Sequence, residues 1–212
     1  MNRVHAVLDS PLGPLTLVAA DGALCGLYLD RQRHAPPPEA LGDDVTSCSL
    51  ECANSTSSPS SRPLFTEVAS QLRAYFDGRL TEFDVPLMLD GTPFQRTVWA
   101  ALLRIPYGRT VSYRELAERL SHAGHPHPGR PTAARAVGLA NGRNPIAIIV
   151  PCHRVVGAAF RGTPAPGSCG TPAPGLRGLV GYGGGLDRKR RLLEFERHGN
   201  GLFGSRTGTF GN

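Results

Sequence analysis

Short apolar segments near the amino terminus predict an antiparallel meander. The segments Val4–Leu8, Leu15–Ala19 and Leu24–Leu29 have the length and apolar content of strands. Asp21-Gly22 lies between the last two segments, and this dipeptide is typical of a tight hairpin turn.

The spacing of apolar residues then changes from that of a strand to that of a helix. Residues recur every three or four positions at Phe65, Val68, Ala69, Leu72, Tyr75 and Phe76. Asp77-Gly78 ends this pattern. We predict that the helix packs on the meander and that together they form a small α/β domain over residues 1–89.

Residues 90–200 predict a second, mostly helical domain. A first helix between Pro93 and Pro106 is indicated by the spacing of Phe94, Val98, Ala101 and Leu102. Ser112 followed by Glu115 is a capping-box pattern, which starts a second helix.

A third helix is rich in small residues. Thr132 is its expected N-cap, and residues 133–140 are mostly Ala and Gly. Two short helices joined by a turn are typical of a helix-turn-helix. A last helix is predicted over Asp187–His198, with Gly199 as its terminator.

Three segments have the composition of irregular insertions. Residues 31–63 are rich in Pro, Ser, Thr and Asp and predict a flexible loop with little to bury. Residues 121–131 and 158–178 carry many of the chain's glycines and prolines, and residues 201–212 form a tail.

Charge and cysteine content narrow the class of protein. The formal net charge of +6 comes mainly from arginine, which suits bidentate contact with the phosphates of a polyanion. No apolar run is long enough for a signal peptide or a membrane span. The five cysteines are odd in number and irregularly spaced, and Cys48 and Cys52 lack the second pair of a zinc finger. We expect a soluble cytoplasmic protein without a metal site.

Cys152 is the strongest candidate for a nucleophile. The β-branched run 146–150 predicts a buried strand, and Pro151 cannot continue its ladder, so the chain must turn at Cys152. Unpaired backbone N–H groups, together with His153 and Arg154, would stabilise a thiolate at such a turn. By itself, a cysteine followed by a histidine is more often a buried cysteine beside an unrelated surface histidine.

Glu196 is a candidate partner for a histidine. It falls on the apolar stripe that Leu186, Leu192 and Leu193 form along the last helix, and a carboxylate there needs a partner. A carboxylate that orients an imidazole would complete the relay of an activated nucleophile. The same pattern also fits an exposed glutamate that pairs with an arginine at the helix end.

Arg135 is the only charged residue of the Ala- and Gly-rich third helix. Small residues permit close approach to DNA, which favours docking by shape with Arg135 at the contact. A buried helix with a solvated Arg135 explains the segment equally well, so both interpretations remain open.

Several ordered motifs together point to one family. They are Asp9–Gly13, Val111–Tyr113, Ala133–Gly138, Asn141–Pro145, Pro151–Val155, Gly181–Leu186 and Arg188–Leu193. They resemble those of the O6-alkylguanine-DNA alkyltransferases, also called methylated-DNA–protein-cysteine methyltransferases. The resemblance implies a ribonuclease H-like α/β amino-terminal domain and a carboxy-terminal domain with a winged helix-turn-helix.

The resemblance also implies a single-turnover DNA repair protein that needs no cofactor. Cys152 would accept a methyl or other alkyl group from O6 of guanine, with O4 of thymine as a second target. Glu196 would orient His153, which a water links to Cys152. Tyr113 would donate a proton to the leaving base, and Asn144 would be the hinge beside the cysteine loop.

Base flipping out of double-stranded DNA, from the minor groove, is implied as well. Arg135 would take the place of the extruded base. Further DNA contacts are implied at Ala134, Gly138 and Arg114. The base pocket is implied at Val155, Tyr182 and Gly183. The protein would act as a monomer away from membranes, with the insertions 121–131 and 158–178 bordering its DNA face.

Two other functions remain compatible with the residues. A Cys–His hydrolase or acyltransferase would form a labile acyl group on Cys152 and would need an oxyanion hole, which the sequence does not reveal. A winged-helix protein that binds damaged DNA without repairing it would not need Cys152.

Overall fold

The predicted meander supplies three of the four described strands of the amino-terminal sheet. The computed structural model describes residues 3–46, 61–122, 131–158 and 179–198. The antiparallel meander consists of β1 (Arg3–Leu8), β2 (Leu15–Ala20) and β3 (Ala23–Leu29). Asp21 and Gly22 have φ angles of 49° and 78°, as the tight turn between β2 and β3 requires. The predicted strands and hairpin are confirmed.

Residues 31–46 of the predicted loop include short regular elements, and most of their side chains are exposed. Strand β4 (Asp43–Asp44) pairs parallel with β1, after a 3₁₀ helix at Pro38–Ala40. The outer edge of β1 offers backbone groups that need partners, and the Val45 N–H donates to the His5 carbonyl at 2.9 Å. Backbone pairing thus holds a segment that has few apolar side chains. Residues 47–60 lie outside the described ranges.

Helix α1 (Ser61–Phe76) packs on the sheet as predicted. Val68, Leu72 and Tyr75 are buried, and the helix ends before Gly78, whose φ of 70° suits a helix terminus. These side chains belong to a core that continues into the second half of the chain.

The second half is mainly helical. Its elements are α2 (Pro93–Leu102), β5 (Val111–Ser112), α3 (Tyr113–His122), α4 (Pro131–Gly142), β6 (Val155–Val156) and α5 (Leu186–His198). The capping box that starts α3 is confirmed, since the Ser112 N–H donates to Glu115 and the Glu115 N–H donates to Ser112. The N-cap at Thr132 is wrong, because α4 begins at Pro131, a residue well suited to the first helical position. Within the described ranges, no helix is both long and apolar enough to cross a membrane.

The predicted buried strand at residues 146–150 is also wrong. These residues are buried, but only Ile146 forms a bridge, to Leu27 of β3, and the chain then turns at Ile148 with a φ of 69°. The Asn144 side chain takes the place of a neighbouring strand: it accepts from the Ile146 N–H at 3.0 Å and donates to the Val150 carbonyl at 2.8 Å. Apolar content therefore predicted the burial of this run and not its backbone conformation.

Candidate active site

Cys152 begins a 3₁₀ helix, Cys152–Arg154, directly after Pro151. Its side chain is buried, and its Sγ accepts a hydrogen bond from Asn144 Nδ2 at 3.0 Å. The same Asn144 amide holds the turn that precedes the cysteine, so the segment that delivers Cys152 and the group that contacts its sulfur are joined through one side chain.

Burial raises the pKa of the Cys152 thiol. The hydrogen bond from Asn144, the charge of Lys189 and nearby backbone N–H groups oppose this rise without cancelling it. The expected stabilisation by Arg154 is not found, because that guanidinium binds Glu196 instead. The thiol therefore keeps its proton near neutral pH and needs a base to become a nucleophile.

His153 and Glu196 lie together in the interior. His153 is fully buried, and its Nε2 lies 2.8 Å from Glu196 Oε1. Burial lowers the pKa of His153, and the neighbouring carboxylate only partly offsets this effect. A neutral imidazole donates from Nε2 to Glu196, which leaves Nδ1 as the basic nitrogen. Nδ1 is buried and has no hydrogen-bond partner among the described residues.

Glu196 is held by donors from three parts of the chain. Arg154 donates to it through Nε and Nη2, each at 2.9 Å, while the Tyr75 hydroxyl and the Gly108 N–H donate at 2.8 Å and 3.2 Å. Burial alone would raise the pKa of Glu196, but His153 and Arg154 hold it well below its ordinary range. The Arg154 guanidinium, bonded to both carboxylate oxygens, is the cation that keeps Glu196 ionised beside a neutral His153.

The environment of Glu196 corrects the predicted stripe of α5. Leu186 is exposed, and the buried face consists of Lys189, Leu192, Phe195 and Glu196. The exposed alternative for Glu196 is excluded, since its side chain is 1% accessible, although an arginine does pair with it. Two charged residues thus enter the core on the inner face of one helix.

Lys189 is the functional candidate that sequence reasoning missed. It is the only lysine of the chain, it is fully buried, and its Nζ donates to the carbonyls of Val155 and Val180. Burial lowers the pKa of Lys189 to about 8. A single lysine in an arginine-rich helix, on the same face as Leu192 and Glu196, was the available signal.

Tyr113 is connected to the backbone of Cys152 through Asn141. Its hydroxyl donates to the carbonyl of Gly181 at 2.8 Å, and the carbonyl of Val180 lies 3.2 Å from the same hydroxyl. The hydroxyl oxygen accepts from Asn141 Nδ2 at 3.4 Å. Asn141 Nδ2 is also 3.3 Å from the Cys152 carbonyl, so this second amide connects the two residues. Burial raises the pKa of Tyr113, which keeps the hydroxyl protonated and able to donate.

The predicted pocket residues lie at the contact between the two halves of the chain. The Val155 carbonyl accepts from Lys189, and the Tyr182 hydroxyl oxygen is buried. A Cβ added at Gly183 would come within 3.2 Å of the Arg33 carbonyl and 3.3 Å of the Gly142 carbonyl. The pocket segment therefore packs too closely on its neighbours for a side chain there to fit without adjustment.

The predicted DNA contacts lie on the surface of α3 and α4. Arg135 and Arg114 are exposed, and Arg114 pairs with Glu118 at 3.0 Å. Ala134 and Gly138 are half-buried, and among the described residues outside the backbone of α4 a Cβ at Gly138 would contact only the Tyr113 ring, at 3.8 Å. Packing within this part of the chain therefore does not require a glycine at position 138.

The described residues contain no group of three or more His, Cys, Asp or Glu side chains that could hold a metal ion. Asn144 bonds to Cys152, the adjacent His153 bonds to Glu196, and the half-buried Tyr113 is linked to Cys152 through Asn141. Arg135, Ala134 and Arg114 lie on α3 and α4, where the two arginines are exposed. The geometry provides a thiol, a neutral base with a fixed carboxylate, and a phenolic proton donor.

Known proteins resemble the chain along most of its length. The family model described as the ribonuclease-like domain of 6-O-methylguanine DNA methyltransferase matches residues 4–89, and the model of its DNA binding domain matches residues 93–172. The methylated-DNA–protein-cysteine methyltransferase of Mycobacterium tuberculosis H37Rv is 45% identical over 91% of this chain and 92% of its own length. That of Methanosarcina barkeri is 38% identical over 92% and 97%.

Solved structures give the same picture. The crystal structure of Mycobacterium tuberculosis OGT in complex with DNA is 43% identical to the chain and superposes with a TM-score of 0.66, covering 92% of each chain.

Proposed function

Because the chain belongs to the family of 6-O-methylguanine DNA methyltransferases, we propose that Cys152 is the residue on which it takes up the alkyl group. The activity of the chain is that of a methylated-DNA–protein-cysteine methyltransferase, which repairs DNA by alkyl transfer to cysteine. The surroundings of the two described cysteines support Cys152 as the acceptor. Cys25 donates to a backbone carbonyl in an apolar cluster, whereas Cys152 is next to a buried base.

The reaction is one displacement at carbon. Cys152 Sγ attacks the alkyl carbon on O6 of guanine, so that the C–S bond forms as the C–O6 bond breaks and the electron pair stays with the base. The thiol proton passes through a water to His153 Nδ1, and Glu196 stabilises the imidazolium. Tyr113 donates a proton to the ring of the leaving guanine. Tyr113 then regains a proton from solvent and His153 releases one, so the net proton transfer is from the thiol to guanine, and no cofactor is consumed.

Asn144 and Lys189 both assist Cys152 electrostatically. Asn144 donates to Sγ, and the charge of Lys189 favours the thiolate. Neither group changes its covalent bonding in the reaction. Their contribution is electrostatic and is available before the substrate binds.

The DNA face consists of the exposed surface of α3 and α4. Guanine O6 is inaccessible in a stacked duplex, so the base flips into the pocket at Val155, Tyr182 and Gly183. Arg135 fills the gap, and Ala134 and Gly138 allow the helix to approach the minor groove. The room for a Cβ at Gly138 supports this contact, because the small residue serves a surface outside the protein.

We further propose a monomeric, cytoplasmic protein whose two domains divide between residues 89 and 90. The capping box at Thr92 and Gln95, which starts α2 at Pro93, supports a boundary just before it.

The buried hydrogen bond between His153 and Glu196, beside Cys152, is the observation that carries this proposal. It is tested by incubating the protein with a duplex that contains O6-methylguanine, followed by digestion and mass spectrometry. One methyl group on Cys152 per protein molecule is expected, and Cys152→Ala abolishes repair while Cys25→Ala does not. Repeated turnover, or a methyl group on another cysteine, would overturn the assignment.

A further inference from the structure

Tyr75 brings a hydrogen bond from the amino-terminal domain to the candidate relay. It lies near the end of α1, is fully buried, and donates from its hydroxyl to Glu196 Oε1 at 2.8 Å. The same oxygen accepts from His153 Nε2, also at 2.8 Å. The two donors are 78 residues apart in sequence (153 − 75) and belong to different domains.

The contacts of Glu196 fix the direction of its carboxylate. Arg154 bridges both oxygens, and the Gly108 N–H donates to Oε2. Among the described residues, Oε1 accepts from His153, Arg154 and Tyr75. A carboxylate offers about four lone-pair positions, so these donors leave it little freedom to rotate away from the imidazole.

The Tyr75 ring is itself held in place. It packs against the rings of Phe76, Phe83, Tyr107 and Phe195, with centroids 5.3 to 6.0 Å away. Burial, followed by the charge of Glu196, raises the pKa of Tyr75 well above its ordinary value, so its hydroxyl remains a donor. A fixed ring with a permanent proton is suited to orienting a neighbouring acceptor.

We propose that Tyr75 is a positioning residue through which the amino-terminal domain orients Glu196 toward His153. This inference rests on the proposed roles of Cys152, His153 and Glu196. It gives the amino-terminal domain a part in the chemistry, since a residue of α1 helps to set the geometry of a relay that otherwise belongs to the carboxy-terminal domain.

The test compares Tyr75→Phe with the unchanged protein in single-turnover methyl transfer. Loss of the hydroxyl lets the carboxylate turn and is expected to lower the maximal rate constant about tenfold, because a lost charge-assisted hydrogen bond is of that order. The DNA concentration at half-maximal rate and the amount of protein finally methylated should not change. A purely structural role for Tyr75 predicts the reverse: less active protein with an unchanged rate constant.

Nuclear magnetic resonance gives a readout that does not depend on activity. The proton on His153 Nε2 should shift in Tyr75→Phe, because its acceptor oxygen has lost a competing donor. Tyr28→Phe is the matched control, since Tyr28 packs in a separate cluster of the same domain and its loss of a hydroxyl should leave this proton and the rate constant unchanged. Incorporation of 3-fluorotyrosine at position 75 keeps the ring and strengthens the donor, so it should move the proton in the opposite direction.

The outcomes separate this inference from the proposed function. If Cys152 accepts the methyl group but neither the rate constant nor the His153 proton responds at position 75, Tyr75 has only a packing role. If Cys152 is not the acceptor, the proposed function fails whatever the His153 proton does.

Discussion

At the scale of single residues, the site concentrates charge in the buried interior of the protein. Lys189, Arg154 and Glu196 are buried, and each is paired or bonded to carbonyls. Buried ions cost several kcal/mol unless neighbours compensate them, so the loss of one partner costs far more than the loss of a surface pair.

Arg154 and Arg114 allow the cost of losing a buried ion-pair partner to be compared with that of losing an exposed one. Arg154→Met leaves Glu196 buried without its guanidinium and is expected to lower the free energy of unfolding by about 3–5 kcal/mol. Arg114→Met breaks an exposed pair with Glu118 and should cost less than about 1 kcal/mol. Urea unfolding at neutral pH measures both changes, and similar costs for the two would contradict a compensated charge at Glu196.

Lys189 should titrate within an accessible pH range. Its pKa lies at about 8 when folded and near 10.5 when unfolded, so between these values the unfolded chain retains a proton that the folded chain has lost. The free energy of unfolding of the unchanged protein should therefore rise with pH between these two values. The same measurement on Lys189→Met, in which all other groups still titrate, gives the reference curve. Because the chain has one lysine, isotope labelling of lysine yields a single side-chain resonance, and a pKa near 10.5 would refute the buried charge.

At the scale of secondary-structure elements, predictions from the sequence were correct where the hydrogen-bond partners of an element lie close to it in sequence. Asp21-Gly22 and the Ser112–Glu115 capping box depend on neighbours in sequence, and both were predicted correctly. The run 146–150 was misjudged because its backbone partners are the side chain of Asn144 and the distant β3. Apolar composition cannot distinguish a buried turn from a buried strand.

The candidate site shows the same division between local and distant information. Glu196 was found because a carboxylate on an apolar stripe is conspicuous in sequence. Lys189 also lies on that face, but its partners, the carbonyls of Val155 and Val180, are brought to it only by folding. Tyr75 looked like an ordinary core residue, because nothing in α1 indicates that its hydroxyl reaches α5.

Helix α4 gives a prediction in which stability and function change in opposite directions. Gly138→Ala meets only ordinary contact with the Tyr113 ring and removes a glycine from a helix, so it should raise the free energy of unfolding by about 0.5–1 kcal/mol. The added methyl group would stand on the proposed minor-groove face and should weaken DNA binding several-fold.

Gly142→Ala is the control for this change. Among the described residues outside the backbone of α4, no heavy atom lies within 4 Å of a Cβ at Gly142, so the stabilisation should recur there, while DNA binding should be retained. Unfolding by urea and binding to an unmodified duplex are the two measurements. Undiminished DNA affinity in Gly138→Ala would show that this part of α4 does not meet the groove.

At the scale of the whole molecule, the two domains share contacts that the domain boundary does not reveal. One hydrophobic core includes residues of both. Leu27 of β3 exchanges hydrogen bonds with Pro145 and Ala147, each at 2.9 Å, so the amino-terminal sheet supports the segment that leads to Cys152. On the other side, Arg188 of α5 donates to the carbonyl of Leu12 at 3.1 Å.

These shared contacts predict that the domains unfold together. Trp99, the only tryptophan, reports on α2, and the labelling of the buried Cys25 thiol, followed by peptide mass, reports on the amino-terminal sheet. Both probes should give one urea midpoint, and the calorimetric and van't Hoff enthalpies should agree. Arg188→Met removes bonds from α5 to the amino-terminal domain and should lower the two midpoints equally. If Cys25 became accessible before Trp99 fluorescence changed, the sheet would unfold independently. The carboxy-terminal domain would then stay folded without the contacts that the amino-terminal domain makes with the cysteine segment and with Glu196.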